Sequence, residues 1–338
     1  MTSAAGLSHY IFPSYKTGND HSFGAVYITA SPGVDISSDL KYNIRGMIRY
    51  LTKRQTQYPR FISGGKQMEH KSINGIGGQV HYWISRPKAP PEGTIVFTHG
   101  VTANHIMFEK QVEYFENEYI VITWDVPLHG LSVPYKSFSY ENSARDLDQI
   151  ITQESIDTVC LVGMSMGGYP SQIYAHLFPE KVQCFIGLDT TPFGTDYYSK
   201  TDLWWLSKVR SMAKCFPGKT LRKSMAKSVS LTEYSYRKMT DMLAPVSKSQ
   251  IIEQMDAAYG KFAQENKDLN LECPVMILLG DKDKTGKVTK YCRMWAEKTG
   301  YPLHIIKNAA HFSNGDNAEQ VNKEIAEFIM LTKQDSFR

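Results

Sequence analysis

A serine between two glycines is the residue of this sequence whose type and surroundings best suit nucleophilic chemistry. It is Ser165, in the pattern Gly163-x-Ser165-x-Gly167. The apolar run 158–162 before it predicts a buried strand, and a helical pattern follows. A serine on such a strand-to-helix turn projects its hydroxyl above the sheet, where larger flanking side chains would clash. This context favours a nucleophile over an ordinary Gly/Ser turn.

A serine hydroxyl is a weak nucleophile and needs a base, which in turn needs an orienting acid. In a sheet with this kind of turn, the chain order is serine, acid, histidine. Among the ten histidines, His311 follows the last predicted strand, 302–306, and precedes the last predicted helix. We therefore predict His311 as the base. The other histidines considered are His99, His105, His129, His176 and His304.

The orienting acid should follow the predicted strand 274–279. Two aspartates lie there, Asp281 and Asp283. Asp283 lies deeper in the loop and can reach a histidine in the next loop, whereas Asp281 is close enough to the strand end to cap the local backbone. Asp189 ends another predicted strand, 182–188. We rank Asp283 first, Asp189 second and Asp281 third.

Attack on a carbonyl creates an oxyanion that needs preorganised amide donors. One expected donor is the backbone amide of Met166, directly after the serine. The other should come from the loop after the predicted strand 94–98, where we choose Val101.

These residues need a sheet to bring them together. From residue 68 onward, strand-like runs alternate with helical patterns, which predicts an α/β fold with a mostly parallel central sheet and helices on both faces. The predicted elements are a hairpin at 72–84 and strands at 94–98, 119–124, 158–162, 182–188, 274–279 and 302–306.

Between residues 193 and 274 we find only helical patterns. Ser230 with Glu233, and Ser247 with Gln250, have the spacing of a capping box at a helix start. A helical insertion here predicts a cap over the carboxyl edge of the sheet, where ligands bind in open α/β sheets. The predicted domains are an amino-terminal extension of unknown role at 1–66, a core at 67–193 and 271–338, and the cap at 194–270.

The predicted cap should shape a substrate pocket. Aromatic and methionine side chains offer an adaptable apolar surface. They favour an uncharged, apolar acyl or alcohol group over a sugar or a phosphate. The residues predicted to bind the substrate are Tyr198, Trp204, Trp205 and Met242.

Composition excludes several other classes. A formal charge of +4 is too small to indicate nucleic-acid binding. No metal-ligand spacing and no nucleotide-binding glycine loop is present, so we expect neither metal nor cofactor. The apolar runs are too short for a membrane anchor, and the first residues show no secretory signal. Five cysteines without Cys-x-x-Cys spacing favour the reducing cytoplasm, and the oligomeric state stays open.

Taken together, the motifs resemble the α/β-hydrolase superfamily over roughly residues 68–331. The matching segments are His-Gly at 99–100, Asp-x-Pro-x-His-Gly-x-Ser at 125–132, Gly-Met-Ser-Met-Gly-Gly at 163–168, Gly-Asp-Lys-Asp at 280–283 and Asn-Ala-Ala-His at 308–311. By this resemblance, Ser165 matches the nucleophile, Asp283 the acid and His311 the base. Val101 and Met166 match the oxyanion donors.

The resemblance implies a serine hydrolase that cleaves a carboxylic ester or related acyl bond through an acyl-enzyme. The serine disfavours the dehalogenases and epoxide hydrolases of this superfamily, which use an aspartate at that position. Because the fold supports many reactions, thioesterase, peptidase and carbon–carbon hydrolase activities remain alternatives. A non-catalytic ligand receptor on the same fold is the alternative from another class.

Overall fold

The computed structural model describes residues 66–335 continuously and, before them, three short strands: β1 (Ser8–Tyr10), β2 (Ile28–Ala30) and β3 (Ile62–Ser63). The chain divides into two compact units, 1–59 and 60–338. In the first unit, β1 pairs antiparallel with β2. Most of the predicted extension 1–66 lies outside the described residues.

The second unit is built on an eight-stranded sheet. After β4 (Lys66–Gln67), which pairs with β3, its strands are β5 (Glu69–Asn74), β6 (Gln79–Ser85), β7 (Thr94–Thr98), β8 (Ile120–Trp124), β9 (Val159–Met164), β10 (Val182–Leu188), β11 (Val275–Gly280) and β12 (Leu303–Ile306). Their order across the sheet is β12-β11-β10-β9-β7-β8-β6-β5. β6 runs antiparallel to β5 and β8, and the other pairs are parallel. The predicted α/β fold with a mostly parallel sheet is confirmed.

In the described part of the chain, six helices accompany the strands outside the long connection from β10 to β11. In chain order they are α1 (Glu109–Phe115), α2 (Tyr140–Gln153), α3 (Gly168–Leu177), α9 (Val288–Thr299), α10 (Ser313–Asp316) and α11 (Ala318–Asp335). Single turns of 3₁₀-helix lie at His105–Phe108, Ser165–Gly167, Pro179–Lys181 and Thr195–Tyr197. No helix in the described part of the chain has the length and apolar character needed to cross a membrane.

The connection from β10 to β11 contains helices and turns and adds no strand to the described sheet. Its helices are α4 (Lys200–Lys214), α5 (Gly218–Val229), α6 (Glu233–Leu243), α7 (Lys248–Met255) and α8 (Lys261–Glu265), with a π-helical turn at Asp256–Gly260 between the last two. We call residues 195–265 the helical insertion.

Two apolar layers, one on each face of the sheet, form the core. Successive residues of β7 alternate between them: Val96 packs in one layer, and Ile95 and Phe97 pack in the other. All five residues of β7 are buried because helices cover both faces. This explains why the central strands have continuous apolar runs rather than alternating polarity, and it holds their carboxyl ends at one edge.

Candidate active site

The turn from β9 into α3 carries Ser165. Its φ is +50°, a left-handed conformation that is uncommon for a residue other than glycine. A Cβ built on Gly167 would lie 2.1 Å from the carbonyl oxygen of Thr98, and one on Gly163 would lie 2.6 Å from the Cα of Gly168. Both glycines are therefore required by close backbone approach, which explains the pattern around the serine.

His311 joins Ser165 to Asp283 through hydrogen bonds. Its Nε2 lies 2.9 Å from Ser165 Oγ, and its Nδ1 lies 2.8 Å from Asp283 Oδ2. The other carboxylate oxygen of Asp283 accepts a hydrogen bond of 2.7 Å from the amide of Thr285. Because Nδ1 donates to the carboxylate, Nε2 is free to accept the serine proton. Three residues from three separate loops thus meet in one hydrogen-bonded chain.

Within these hydrogen-bonded residues, electrostatic interactions favour the ionised forms of His311 and Asp283. Burial lowers the pKa of the His311 imidazole, but the hydrogen bond to Asp283 and the negative charges of Asp283 and Asp189 outweigh it, so the pKa is raised above 6.5. Burial raises the pKa of the Asp283 carboxyl, but the charge of His311 and its hydrogen bond outweigh that effect, and the pKa is lowered. An imidazolium formed at His311 is therefore stabilised by an ionised neighbour.

Asp189, the second-ranked acid, does not bond to His311. Its carboxylate accepts a hydrogen bond of 2.7 Å from the amide of Gly280 and another from the hydroxyl of Ser313. Gly280 begins the loop that carries Asp283, and Ser313 lies two residues after His311. Full burial raises the pKa of Asp189 to about 7. The carboxyl of Asp189 thus links the two loops through hydrogen bonds.

Two further carboxylates hold the loop of His311. Asp281 Oδ1 accepts a hydrogen bond of 3.1 Å from the amide of Ala309, so this third-ranked acid caps the backbone. Asp316 Oδ2 accepts one of 2.9 Å from the amide of Ala310. The amides of Ala309 and Ala310, the two residues directly before His311, are therefore both held by hydrogen bonds.

The loop after β7 lies against the serine. A Cβ built on Gly100 would lie 3.3 Å from the Cβ of Ser165. Val101, the next residue, and Met166 both border the cavity that contains Ser165. The two residues predicted to donate to an oxyanion thus border the same cavity as Ser165.

Three other histidines at this edge have structural partners. His99 Nε2 accepts a hydrogen bond from the amide of Val126, and His105 Nδ1 lies 2.8 Å from the Asp125 carboxylate. His129 Nδ1 donates to the carbonyl of Pro127. Burial lowers the pKa of His99 to about 4 and that of His129 to about 3. These two imidazoles stay neutral in the core.

A cavity of about 280 Å³, which we call the first cavity, opens beside Ser165. Its lining is mostly apolar and aromatic. The sheet and core contribute Val101, Met166, Tyr169, Val288 and Tyr291, and the helical insertion contributes Tyr198, Leu206, Val209, Met255, Ala258, Tyr259 and Phe262. The described insertion therefore covers the carboxyl edge of the sheet.

A second cavity, of about 190 Å³, also borders the serine. It shares Val101, Ser165, Met255, Tyr259 and Thr285 with the first cavity and adds His311. Its remaining lining is Gly100, Thr102, Met107, Met164, Met225, Ser228, Val229 and Met239. Ser165 thus borders two mostly apolar cavities.

Comparison with known proteins decides the family. A family model described as alpha/beta hydrolase fold matches residues 93–318, which is more than half of the chain. The chain belongs to the α/β-hydrolase fold family. The predicted resemblance is confirmed.

Several known proteins are similar to this α/β-hydrolase. An uncharacterized hydrolase of Bacillus subtilis is 24% identical over 269 residues, covering 74% of this chain and 94% of that protein. 3-Oxoadipate enol-lactonase 2 of Acinetobacter baylyi is 29% identical over 97 residues, 28% of this chain and only 36% of the lactonase. A thermophilic esterase from Thermogutta terrifontis has a TM-score of 0.63 at 19% identity, covering 78% of this chain and 99% of that one. Likeness at this level establishes the fold.

Within this α/β-hydrolase, the four predicted substrate residues lie in different places. Tyr198 borders the first cavity, as expected. Met242 is 1% exposed and packs in the core, outside the linings of both cavities. Trp204 and Trp205 are 52% and 54% exposed and border neither cavity.

The prediction that Trp204 and Trp205 bind the substrate is corrected by the face of α4 that borders the first cavity. Leu206 and Val209 border the first cavity. Each residue turns the helix by about 100°, so Trp204 lies opposite the side of Leu206 and Val209, and Trp205 lies at the edge of that side, where it is exposed to solvent. The i, i+3 spacing of Leu203, Leu206 and Val209 was the available signal for the inward face.

Sequence reasoning also missed residues that border both cavities. Met255 and Tyr259 do so, the latter from the π-helical turn Asp256–Gly260. A π-turn inserts an extra residue into a helix and often occurs at functional sites. No sequence pattern predicted this π-helical turn, because α7 and α8 continue the same helical periodicity on either side of it.

Proposed function

We propose that this chain is a serine hydrolase that cleaves a carboxylic ester, or a related acyl bond, of a small and partly apolar substrate. The observation that carries the proposal is the hydrogen-bonded chain Asp283–His311–Ser165, whose serine borders two apolar cavities. A serine, a base and an acid in this order at the carboxyl edge of a sheet suit acyl transfer. No metal or cofactor is needed for it.

The reaction proceeds through an acyl-enzyme. Ser165 Oγ attacks the carbonyl carbon while His311 Nε2 takes its proton, and Asp283 holds the imidazole tautomer. The amides of Val101 and Met166 bind the oxyanion. His311 returns the proton to the leaving oxygen, and then activates a water that releases the acid and regenerates Ser165.

The two cavities take the two halves of the substrate. His311 must reach the leaving oxygen to protonate it, and it borders the second cavity. The alcohol therefore occupies the second cavity, and the acyl group occupies the first. At about 280 Å³ the first cavity lies just below the usual size of ligand pockets, roughly 300–1,000 Å³, so short to medium acyl chains fit best. In this proposal residues 194–270 are the substrate-binding cap.

Localisation in the cytoplasm is part of the proposal. It is supported by the five cysteines, all of which are free thiols. Four of them, Cys160, Cys184, Cys273 and Cys292, are buried where a reducing compartment preserves them.

Hydrolysis of p-nitrophenyl esters from acetyl to octanoyl tests the function. We expect turnover by the wild type, with Ser165→Ala lowering kcat by about 10⁴-fold or more while the melting temperature is retained. Ser224→Ala, at an exposed serine of α5, is the matched control and should behave as the wild type. Near-wild-type turnover by Ser165→Ala would remove the serine from the mechanism.

A further inference from the structure

The outer face of α4 carries large apolar side chains in contact with solvent. Trp204, Trp205 and Met212 are 52%, 54% and 43% exposed, and Phe216, just after the helix, is 51% exposed. The two indole rings contact each other edge to face, with centroids 4.9 Å apart. Four such side chains along one short segment are unusual for a surface in water, where large exposed apolar patches commonly mark interaction sites.

The same segment is strongly basic. Residues 200–229 contain eight lysines and arginines and one acidic residue, Asp202, a net charge of +7. The whole chain carries +4, so the rest of it sums to −3. Asp202 is buried and ion-paired with Lys287, which leaves it no role in neutralising the outer surface. Seven of the eight cations are exposed: Lys200, Lys208, Arg210, Lys214, Lys219, Lys223 and Lys227.

One of these cations, Lys208, lies among the exposed apolar groups of α4. Lys208 Nζ lies 5.5 Å from the centre of the Trp204 ring. With about 100° per residue, Lys208 falls between Trp204 and Met212 on the helix surface. Lysine and tryptophan side chains interleaved in this way suit a lipid headgroup region, where the indole sits at the apolar boundary and the ammonium meets phosphate.

We propose that the outer face of α4, together with α5, docks onto the surface of an anionic lipid bilayer. A segment with a net charge of +7 is attracted to an anionic surface. The exposed tryptophans favour a lipid bilayer over a polyanion that offers no apolar region. The opposite face of α4 lines the first cavity through Leu206 and Val209. Docking therefore brings the cap of the proposed hydrolase to the headgroup level, with α4 and α5 lying on the membrane surface rather than crossing it.

Vesicle binding tests this proposal without reference to catalysis. The full chain is sedimented with vesicles of phosphatidylcholine and phosphatidylserine, or of phosphatidylcholine alone. We expect binding to the anionic vesicles, loss of that binding at high salt, and a blue shift of tryptophan emission. The shift reports on Trp204 and Trp205, since Trp83, Trp124 and Trp295, the others of the five, are buried.

Two double variants separate the charges from the indoles. Lys208→Glu/Lys214→Glu and Trp204→Ala/Trp205→Ala should each weaken vesicle binding about tenfold or more. Lys88→Glu/Lys136→Glu makes the same charge change at two exposed lysines elsewhere and should bind as the wild type. Melting temperatures check that every variant is folded.

Three outcomes would overturn the proposal. The first is no binding to anionic vesicles by a folded wild type. The second is equal weakening by the control pair, which would make the attraction non-specific. The third is concentration-dependent self-association through α4, measured by sedimentation and abolished by the tryptophan pair, with no lipid binding, because the face would then be an interface between copies of this chain.

Discussion

Two buried aspartates, Asp283 and Asp189, are candidates for the orienting acid, and their hydrogen bonds distinguish them. Asp283 contacts the imidazole of His311 at 2.8 Å, whereas Asp189 contacts the loops on either side of it. Both negative charges raise the pKa of His311, with the larger contribution from Asp283. The two aspartates therefore differ in what their replacement should do to the pH dependence of the reaction.

Asp283→Asn should lower kcat/KM by about 10³–10⁴-fold and move its acid limb to lower pH. The base works only when neutral, so activity is present above the pKa of His311 and is lost as pH falls through it. In the wild type that pKa lies above 6.5, because Asp283 and Asp189 together outweigh the effect of burial. Removing the charge lets burial lower the pKa. The measurement is a pH profile of p-nitrophenyl ester hydrolysis.

Asp189→Asn is the matched control for that profile. An asparagine can still accept from Gly280 and bond to Ser313, so the loops should keep their places. We expect turnover close to the wild type and a smaller shift of the acid limb in the same direction. A crippling Asp189→Asn beside a mild Asp283→Asn would assign the acid to the earlier strand.

The helices of the insertion show where sequence patterns succeed and where they fail. The capping box at Ser247 and Gln250 starts α7 as predicted. The one predicted at Ser230 is wrong, because α6 begins two residues later with Thr232 as its N-cap. The carboxylate of Asp316 accepts hydrogen bonds from the amides of Leu231 and Thr232. A local sequence pattern could not reveal this contact, because Asp316 is distant in the sequence. Thr232 thus supplies the local cap by accepting from the amide of Ser235, and the distant Asp316 binds the amides just before the helix.

Asp316→Ala should lower the free energy of unfolding by about 2 kcal/mol. The carboxylate accepts hydrogen bonds from the amides of Leu231, Thr232 and Ala310. Its removal leaves these donors, at the start of α6 and next to His311, without their partner. Urea unfolding measures the change. Asp241→Ala, at an exposed position of α6, should stay within about 0.5 kcal/mol of the wild type. Equal stabilities of the two variants would contradict this account of the turn.

The inward and outward faces of α4 should have separate effects on selectivity. Leu206→Ala removes a side chain that borders the first cavity and should lower kcat/KM for an octanoyl ester about tenfold, with little change for an acetyl ester. Trp205→Ala, one position earlier on the exposed face, should leave the ratio of the two esters unchanged. The ratio, measured with melting temperature, checks the assignment. A change of the ratio in Trp205→Ala alone would place the pocket elsewhere.

Most of the sheet was predictable because its central strands are buried on both faces and therefore have continuous apolar runs, as in β7 and β9. The positions of Ser165 and His311 followed, since both lie where a predicted strand meets a predicted helix. The choice among three aspartates and the lining of the cavities were harder. They depend on which side chains meet across the fold, and neither composition nor periodicity contains that information, as Trp204 and Trp205 demonstrate.

The central claim for the whole molecule is that Ser165 is an activated nucleophile rather than a polar group in a ligand pocket. A fluorophosphonate probe tests it most directly, because the probe reacts covalently with a serine only where a base and an oxyanion site support the attack. We predict one adduct per wild-type chain, mapped by mass spectrometry to the peptide containing Ser165, and no adduct on Ser165→Ala. A folded wild-type chain that stays unlabelled, or an adduct that persists in Ser165→Ala, would contradict the account and point to a receptor or to another nucleophile.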